Sequence, residues 1–483
     1  MSTFKNKFQM EVPPAAIDII QQLENDGYET YVVGGCVRDA VLNKIPHDYD
    51  MCTSAVPQQM KDVFSKTKQR TYDTGIQHGT ISIKGKDRQL YEVTVFRIDG
   101  DYTDGRHPDS VQFVSDVNKD LARRDFTINA MAYSPTRGLV DPFGGQADCE
   151  NKIIRCVGDP NKRFQEDGLR IMRAIRFAAT YGFEIEEQTK RAIHENKHLL
   201  RNVSMERKTS EFVKMLVKAD AQLLLEYKDV FAEFIPEIKP MFDFNQKSPW
   251  HNYDVFEHTA RAVELVPPDP TLKLAAFFHD IGKPYTFYTD LTGRGHFQLH
   301  QEKGAELAEQ IMKTMRFDNH SVRDVTTLIK YHDEPLTHNM DRINMKCMMR
   351  QIGEGYLRLL VPLQQADKQA QRGVREELEK MDRAAMSYED AAILGQLRAL
   401  DKYESVIDSI VQSNEPYLIP HLKVNGHDLM DLGYTGKDIK ECLSSLLDTV
   451  IEHPELNHKD KLLDIAQKNL SQLLCENEEI ERS

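Results

Sequence analysis

Apolar and polar residues alternate along Gly79 to Lys84 and Gln89 to Arg97, with Gly-Lys-Asp between them. A period of two broken by such a turn predicts a β-hairpin. Tyr28 to Val33 is a β-branched run that predicts a strand ending on Gly34-Gly35, and a helix follows through Val37, Ala40 and Val41. Asp48 to Cys52 reads as a second strand, and Thr53 or Ser54 as the cap of a helix with Pro57 in its first turn. From about residue 160 strand signals nearly vanish. Phe164 to Thr180, Glu186 to Leu200 and Glu206 to Val217 repeat apolar residues at helical spacing. Ile235 to Pro249, with three prolines, reads as a linker. Residues 250 to about 385 are again helical and rich in His, and the remainder is helical with a turn at Val424-Asn425-Gly426. No internal repeat or low-complexity tract interrupts the pattern. The fold class expected is α+β: an α/β head over 1–155, a helical neck over 156–235, a helical His-rich domain over 236–385 and a helical tail over 386–483.

Composition narrows the picture only slightly. The 483 residues are 40% hydrophobic and 29% charged, the balance of a soluble globular chain. No apolar run approaches the roughly 18 residues of a membrane span. Met1 to Val12 carries Lys5 and Lys7 without the apolar stretch of a signal peptide, so the expectation is a cytoplasmic address with no membrane partner. The seven cysteines are scattered and form no C-x-x-C pair, which argues against a disulfide framework and a zinc ribbon. A net charge of −14 disfavours broad, nonspecific nucleic-acid binding. Basic residues nonetheless recur from Lys162 to Lys218, as a solvated helical surface or a local RNA track. Oligomeric state is not legible.

The candidate chemistry begins at Gly34-Gly35-Cys36-Val37-Arg38-Asp39. A glycine pair at a strand-to-helix turn lets the backbone approach a ligand, the helix start offers free N–H groups for phosphate, and Arg38 would add a charged contact. Asp48 and Asp50, two apart on an extended segment, would share a face and jointly hold Mg²⁺, which binds substrate phosphates. The plain alternative is an edge strand with two solvated carboxylates. Glu92 opposes the apolar parity of Tyr91 and Val93; it reads as a third acidic group, a base for an attacking hydroxyl, a metal ligand or an ordinary surface Glu.

With Arg123-Arg124-Asp125-Phe126-Thr127-Ile128-Asn129-Ala130, Asp141-Pro142-Phe143-Gly144-Gly145, Glu166-Asp167-x-x-Arg170-x-x-Arg173-x-x-Arg176 and Glu206-Arg207, these blocks run in order from about residue 15 to 225. The series resembles the bacterial and eukaryotic type of CCA-adding tRNA nucleotidyltransferase, in the polymerase-β-like superfamily. The resemblance implies a polymerase-β-like head, Mg²⁺ at Asp48 and Asp50, CTP and ATP as substrates, and the tRNA acceptor arm as partner. It places Gly35, Arg38, Arg124, Asp125 and Asn129 around the nucleotide, with Arg124 on the triphosphate and Asp125 near the ribose. It also gives the run Asp167, Arg170, Arg173 and Arg176 a sharper use than a solvated ion-pair face. Cytosine and adenine present an exocyclic amine beside an unprotonated ring nitrogen, whereas uracil and guanine present a carbonyl beside a protonated one. An Asp acceptor next to an Arg donor accepts the first pair and rejects the second. Asp167 and Arg170 fit that role, with Arg173 and Arg176 facing phosphates or orienting the pair. The polar loop Asp99 to Pro108, with Arg106, matches the family's flexible loop for switching to ATP. The alternatives are terminal A addition alone, a poly(A) polymerase, and an inert RNA-binding head.

In the second half, His258, His279-Asp280, His300, His332 and Asp367 follow one another. Imidazoles mixed with carboxylates suit Mn, Ni, Fe or Zn. The set resembles an HD-type metal-dependent phosphohydrolase, with His258, His279, Asp280 and Asp367 as its core and His300 and His332 as ligands of a second metal. The chemistry implied is water attack on a phosphoester; the alternative is a scaffold that keeps the fold without the activity.

Overall fold

The computed structural model describes residues 8–481 except 101, 103–104, 106–107, 335–340 and 383–385, and only the backbone of 472–481. The loop residue Arg106 lies outside the described residues. The chain folds into two compact units, 1–239 with 314–316, and 240–313 with 317–483.

The first unit opens with α1 (Pro14–Asn25), β1 (Thr30–Val33), α2 (Gly35–Val41), β2 (Met51–Thr53), α3 (Pro57–Lys66), β3 (Thr71–Gly75), β4 (Thr80–Lys84) and β5 (Leu90–Val95). Strands β6 (Arg97–Asp99) and β7 (Val111–Phe113) form a separate hairpin at the base of the polar loop. Then come α4 (Val117–Ala122), β8 (Ala132–Ser134), β9 (Gly138–Val140) and α5 (Gly145–Asn151). One seven-stranded sheet runs β3-β4-β5-β2-β1-β8-β9, antiparallel except where β2 and β5 lie parallel. The expected hairpin is β4–β5, with Ile83 opposite Tyr91 and Ser82 opposite Glu92. Its alternation is physical: Tyr91, Val93 and Val95 are buried, while Leu90 and Glu92 are exposed. Strand β1, central in the sheet, is buried at all four positions.

Two local expectations change. The helix after β2 is entered through Val56, whose N–H donates to the Gln59 side chain at 3.0 Å, rather than capped by Thr53 or Ser54; Thr53 is buried opposite Thr30. The helix expected over 164–180 is two helices, α6 (Pro160–Glu166) and α7 (Leu169–Tyr181). Asp167 between them is extended, at φ −148° and ψ 106°. Gly168 packs so close to the Leu199 backbone that a Cβ would lie 3.0 Å from its carbonyl oxygen. The break lies at Asp167, whose carboxylate accepts from Leu169 N–H at 3.0 Å at the start of the second helix. The neck continues through β10 (Ile153–Ile154), β11 (Glu184–Ile185), α8 (Glu187–Asn196) and α9 (Met205–Leu216). The proline-bearing segment expected as a linker is packed: Ile235, Ile238 and Met241 are fully buried, and Pro236–Met241 is a 3₁₀ turn whose period matches that spacing of three.

The second unit is helical. Helices Val255–Leu265, Pro270–Phe278, Asn319–Tyr331 and Glu354–Arg372 pack around one another, and Tyr388–Gln412 lies along the last of them. Asp254, Asp269 and Asp318 cap the first three at their N-termini. The region around Asn425 is a helix start, where Asn425 and Asp428 exchange hydrogen bonds. A distinct core of Leu429, Tyr434, Leu446, Leu447, Val450 and Leu462 closes the chain. Among the described residues no helix is long and apolar enough to cross a membrane.

Candidate functional site

In the head, the backbone geometry starts at Gly34, whose φ of 78° suits glycine. The β1–β2 register ends where Val32 faces Met51. Asp48 and Asp50 consequently lie just ahead of β2 rather than within it, and Val33 N–H holds the Asp50 carbonyl at 2.9 Å. Met51 is level with Val93 across the parallel pair, which brings Asp50 beside Glu92. Although Asp50 reaches solvent, loss of water around its carboxyl, then the Glu92 charge and that of Asp48, push its pKa up, with Arg124 pulling it down. Three crowded carboxylates of this kind suit a divalent cation, which would relieve their repulsion.

Arg124 occupies the gap between these acids and the glycine turn: a Cβ on Gly34 would lie 2.9 Å from its Nη1. The fully buried Asp120 holds it at 3.3 Å and holds Arg123 at 2.7 Å. Expected at a phosphate, Arg38 is instead turned inward. It is 8% exposed, donates to Asn129 Oδ1 at 2.6 Å and to Asp39 at 2.9 and 3.0 Å, and stacks against Tyr181. Gly35 packs beside that guanidinium, and Gly34 beside Arg124. Asn129 also donates to Asp125 Oδ1 at 3.1 Å. Burial alone would raise the Asp125 carboxyl, but Arg173 at 2.7 Å and Asn129 outweigh it and hold it below its usual value.

The charged run expected on one helical face is split by the helix break. Asp167 accepts from Leu169 N–H at 3.0 Å and from Arg207 at 2.7 Å. Arg170 pairs with Glu166 and donates to the carbonyls of Arg163 and Arg123 at 3.1 and 3.3 Å. Arg176 pairs with Glu211. Asp167 and Arg170 are thus neighbours whose side chains are each engaged elsewhere, while Arg173 and Arg176 hold other protein groups. Sequence reasoning misses Asp120 and Glu211; the spacing of Asp120 three and four residues before Arg123 and Arg124 is the signal that finds the first.

In the second unit His258, His279, Asp280, His300, His332 and Asp367 converge, all buried. His258 Nε2 lies 3.2 Å from His279 Nε2, 3.3 Å from Asp280 Oδ2 and 3.0 Å from Asp367 Oδ1. His300 and His332 face each other through Nε2 at 3.2 Å, with Asp280 Oδ1 at 3.5 and 3.8 Å. Asp280 therefore serves both groups, one oxygen to each. The second group is decisive for cation chemistry. His300 Nδ1 sits 2.8 Å from the Phe297 carbonyl and His332 Nδ1 2.6 Å from that of Ile329, so each ring carries its proton there. Burial lowers both imidazoles, His332 to about 4, so both are neutral and present lone pairs to one another. Asp280 Oδ1 accepts no hydrogen bond. Two facing lone pairs beside an unpartnered carboxylate oxygen fit a divalent metal. Lys283 lies 2.7 Å from Asp280 Oδ2, and Lys368 and Gln371 donate to Asp367 Oδ2 at 3.0 and 3.3 Å. These groups, with His251, line or brace a cavity of about 630 Å³ above the cluster.

The poly A polymerase head domain model matches residues 30–155, a model described as a probable RNA and SrmB-binding site of polymerase A matches 182–242, and the HD domain model matches 251–404. A CCA-adding enzyme of Enterococcus faecalis is 47% identical over 222 residues, covering 46% of this chain and 52% of that one. One of a Geobacillus species is 50% identical over 201 residues, 42% of this chain and 48% of the relative. The chain thus spans about half the length of the curated relatives it matches. The Bacillus stearothermophilus CCA-adding enzyme in complex with CTP aligns with a TM-score of 0.66 at 25% identity, over 96% of this chain and 100% of that one. The Thermotoga maritima enzyme complexed with tRNA_CCA shares the fold at a TM-score of 0.57 and 19% identity, over 95% and 96%. The chain carries a poly A polymerase head domain followed by an HD domain, and in sequence and fold it is similar to CCA-adding enzymes.

Proposed function

We propose that this chain adds C, C and A, from CTP and ATP, to the 3′ end of tRNA without a nucleic-acid template. The observation that carries the reading is the crowding of Asp48, Asp50 and Glu92 beside Arg124 and the Gly34 turn, in a head similar to that of CCA-adding enzymes. Asp48 and Asp50 would hold Mg²⁺, which would bind the triphosphate and stabilise charge on the reacting oxygens. Arg124 would take triphosphate oxygens, released toward solvent from the buried Asp120 that orients it. Glu92 is placed to accept a proton from the RNA hydroxyl or to complete the metal site. Asp167 and Arg170 would read the base edge after exchanging Arg207 and Glu166 for the nucleotide. Asp125, Asn129, Arg173 and Arg176 would hold that reading pair in position. The test offers tRNA lacking its 3′ end with CTP, ATP or both. Ordered addition of two C and one A is expected; ATP-dependent addition of a single A after CC alone would make it an A-adding enzyme.

We infer a second activity, hydrolysis of a phosphoester, at the HD cluster. The facing lone pairs of His300 and His332 beside Asp280 support it. Bound divalent metals would lower the pKa of a water and neutralise the phosphate. Lys283 would meet the phosphate from the opposite side, while Lys368 and Gln371 fix the Asp367 carboxylate. Phosphate release from bis-p-nitrophenyl phosphate with Mn²⁺ or Ni²⁺ tests it.

A further inference from the structure

The sheet of the head carries a second charged feature beyond its acids. Residues level with one another across neighbouring strands share a face of the sheet. Tyr72 on the edge strand β3 is paired with Ser82 on β4, and Ser82 with Glu92 on β5. In the next row Lys84 is paired with Leu90, and Lys84 N–H donates to the Arg70 carbonyl at 3.0 Å. Ile81 and Ile83 fill the core side of β4, so Lys84 and Arg70 fall on the Glu92 side. Strand spacing places the Lys84 backbone about 7 Å along and about 5 Å across from that of Glu92. Two apolar side chains stand open on this face, Tyr72 at 40% and Leu90 at 58% exposure.

At this end of the sheet α1, residues 67–70 and the turn 84–88 enclose a groove of about 550 Å³. Lys68, Arg70, Lys84, Lys86 and Arg88 line it. Lys86 pairs with Asp18 at 2.6 Å, whereas the other four have no ion-pair partner among the described residues. Asp87, in the turn itself, is engaged by the Tyr91 hydroxyl at 2.7 Å and by Gln89 N–H at 3.0 Å. Amides fix the floor: Gln22 donates to Gln69 Oε1 at 3.0 Å, and Gln69 to the Lys84 carbonyl at 2.8 Å. A chain of net charge −14 thus leaves four cations unneutralised around one ordered groove. Solvated surface cations would explain the charge alone. They would not explain the open tyrosine on the face that joins the groove to Glu92.

A positive groove that follows the backbone, with an aromatic ring for a base, is how single-stranded nucleic acid is held. We propose that the open face of β3, β4 and β5 and this groove form the track of the unpaired RNA strand that leads to Glu92. Lys68, Arg70, Lys84 and Arg88 take its phosphates, and Tyr72 stacks one of its bases. The proposal rests on the transferase reading above and names the surface that holds the acceptor strand while its terminal hydroxyl reacts.

The experiment uses the full chain, Mg²⁺, CTP and tRNA lacking its 3′ end. Lys68→Gln, Arg70→Gln, Lys84→Gln and Arg88→Gln together should raise KM for the tRNA at least about tenfold, with kcat and KM for CTP nearly unchanged. The slope of log Kd for that tRNA against log salt should fall by about 0.7 per lost cation, about 3 for the four. Tyr72→Ala should raise KM for the tRNA roughly tenfold, and Tyr72→Phe, which keeps the ring, should not. An unaltered KM and salt slope in the fourfold variant, or a loss shared by kcat and KM for CTP, would overturn the track. So would tripolyphosphate that binds the parent and not the variant while tRNA affinity is unchanged, since the groove would then serve a small polyanion. If the parent incorporates nothing, the transferase reading fails, and fluorescence anisotropy of labelled tRNA still decides the track. Weaker binding with a shallower salt slope in the fourfold variant supports it; equal binding rejects it.

Discussion

The head gathers carboxylates at its exposed surface, whereas the helical unit buries imidazoles around a shared aspartate. Asp48 and Glu92 stand open to solvent, and Asp50 is pushed up first by loss of water around its carboxyl and then by the Glu92 charge. His258, His279 and Asp280 are essentially fully buried. The difference follows the chemistry each is suited to. Exposed oxygen ligands suit a hard, hydrated cation that arrives with a triphosphate. A dry nest of oriented nitrogens suits a tightly held transition metal. The supports differ likewise. In the head, ion pairs between side chains, such as Asp120 with Arg124, brace the site. In the helical unit, Nδ1 contacts to backbone carbonyls lock His279, His300 and His332.

Separate substitutions should break the two sites independently. Asp48→Ala should lower nucleotide incorporation about 10³-fold, roughly 4 kcal/mol of barrier, with phosphoesterase activity unchanged. Loss of both activities would show that the sites are not separate. His279→Ala should lower bis-p-nitrophenyl phosphate hydrolysis about 10²-fold and spare incorporation; an unaltered rate would remove the metal assignment.

Smaller effects probe the supports. Arg173→Met leaves the buried Asp125 carboxylate without its ion-pair partner and should cost about 2–3 kcal/mol in urea unfolding at neutral pH. Because Asp125 has a folded pKa below its unfolded value near 3.8, its contribution is present above that value and is lost as pH falls through the lower folded pKa. The difference between Arg173→Met and the parent should therefore shrink in acid; a pH-independent gap would refute the pairing. The mildest change is Gly34→Ala, which combines a φ of 78° with a close approach to Arg124. We expect about 1–2 kcal/mol of strain and a raised KM for CTP and ATP with less effect on stability than Arg173→Met. An unchanged KM would separate Arg124 from the nucleotide.

These contrasts also show what a sequence carries. The β4–β5 hairpin, the glycine turn and the HD series were legible because local periodicity and short spacings define them. The extended Asp167 was not, because helical periodicity does not show that its carboxylate takes Leu169 N–H and Arg207, the latter distant in sequence. Nor was the inward turn of Arg38, which depends on Asn129 and Tyr181 from elsewhere in the unit. The sharing of Asp280 between two histidine pairs likewise needs four helices to meet, although every ligand residue is visible as a letter.

We propose that these carboxylates add C and A selected by protein rather than by template. The direct measurement gives the full chain a tRNA lacking its 3′ end, Mg²⁺ and all four nucleoside triphosphates together, and sequences the product. The account predicts tRNA extended by CCA and nothing more. Incorporated U or G, a long A tail, or no extension would contradict it.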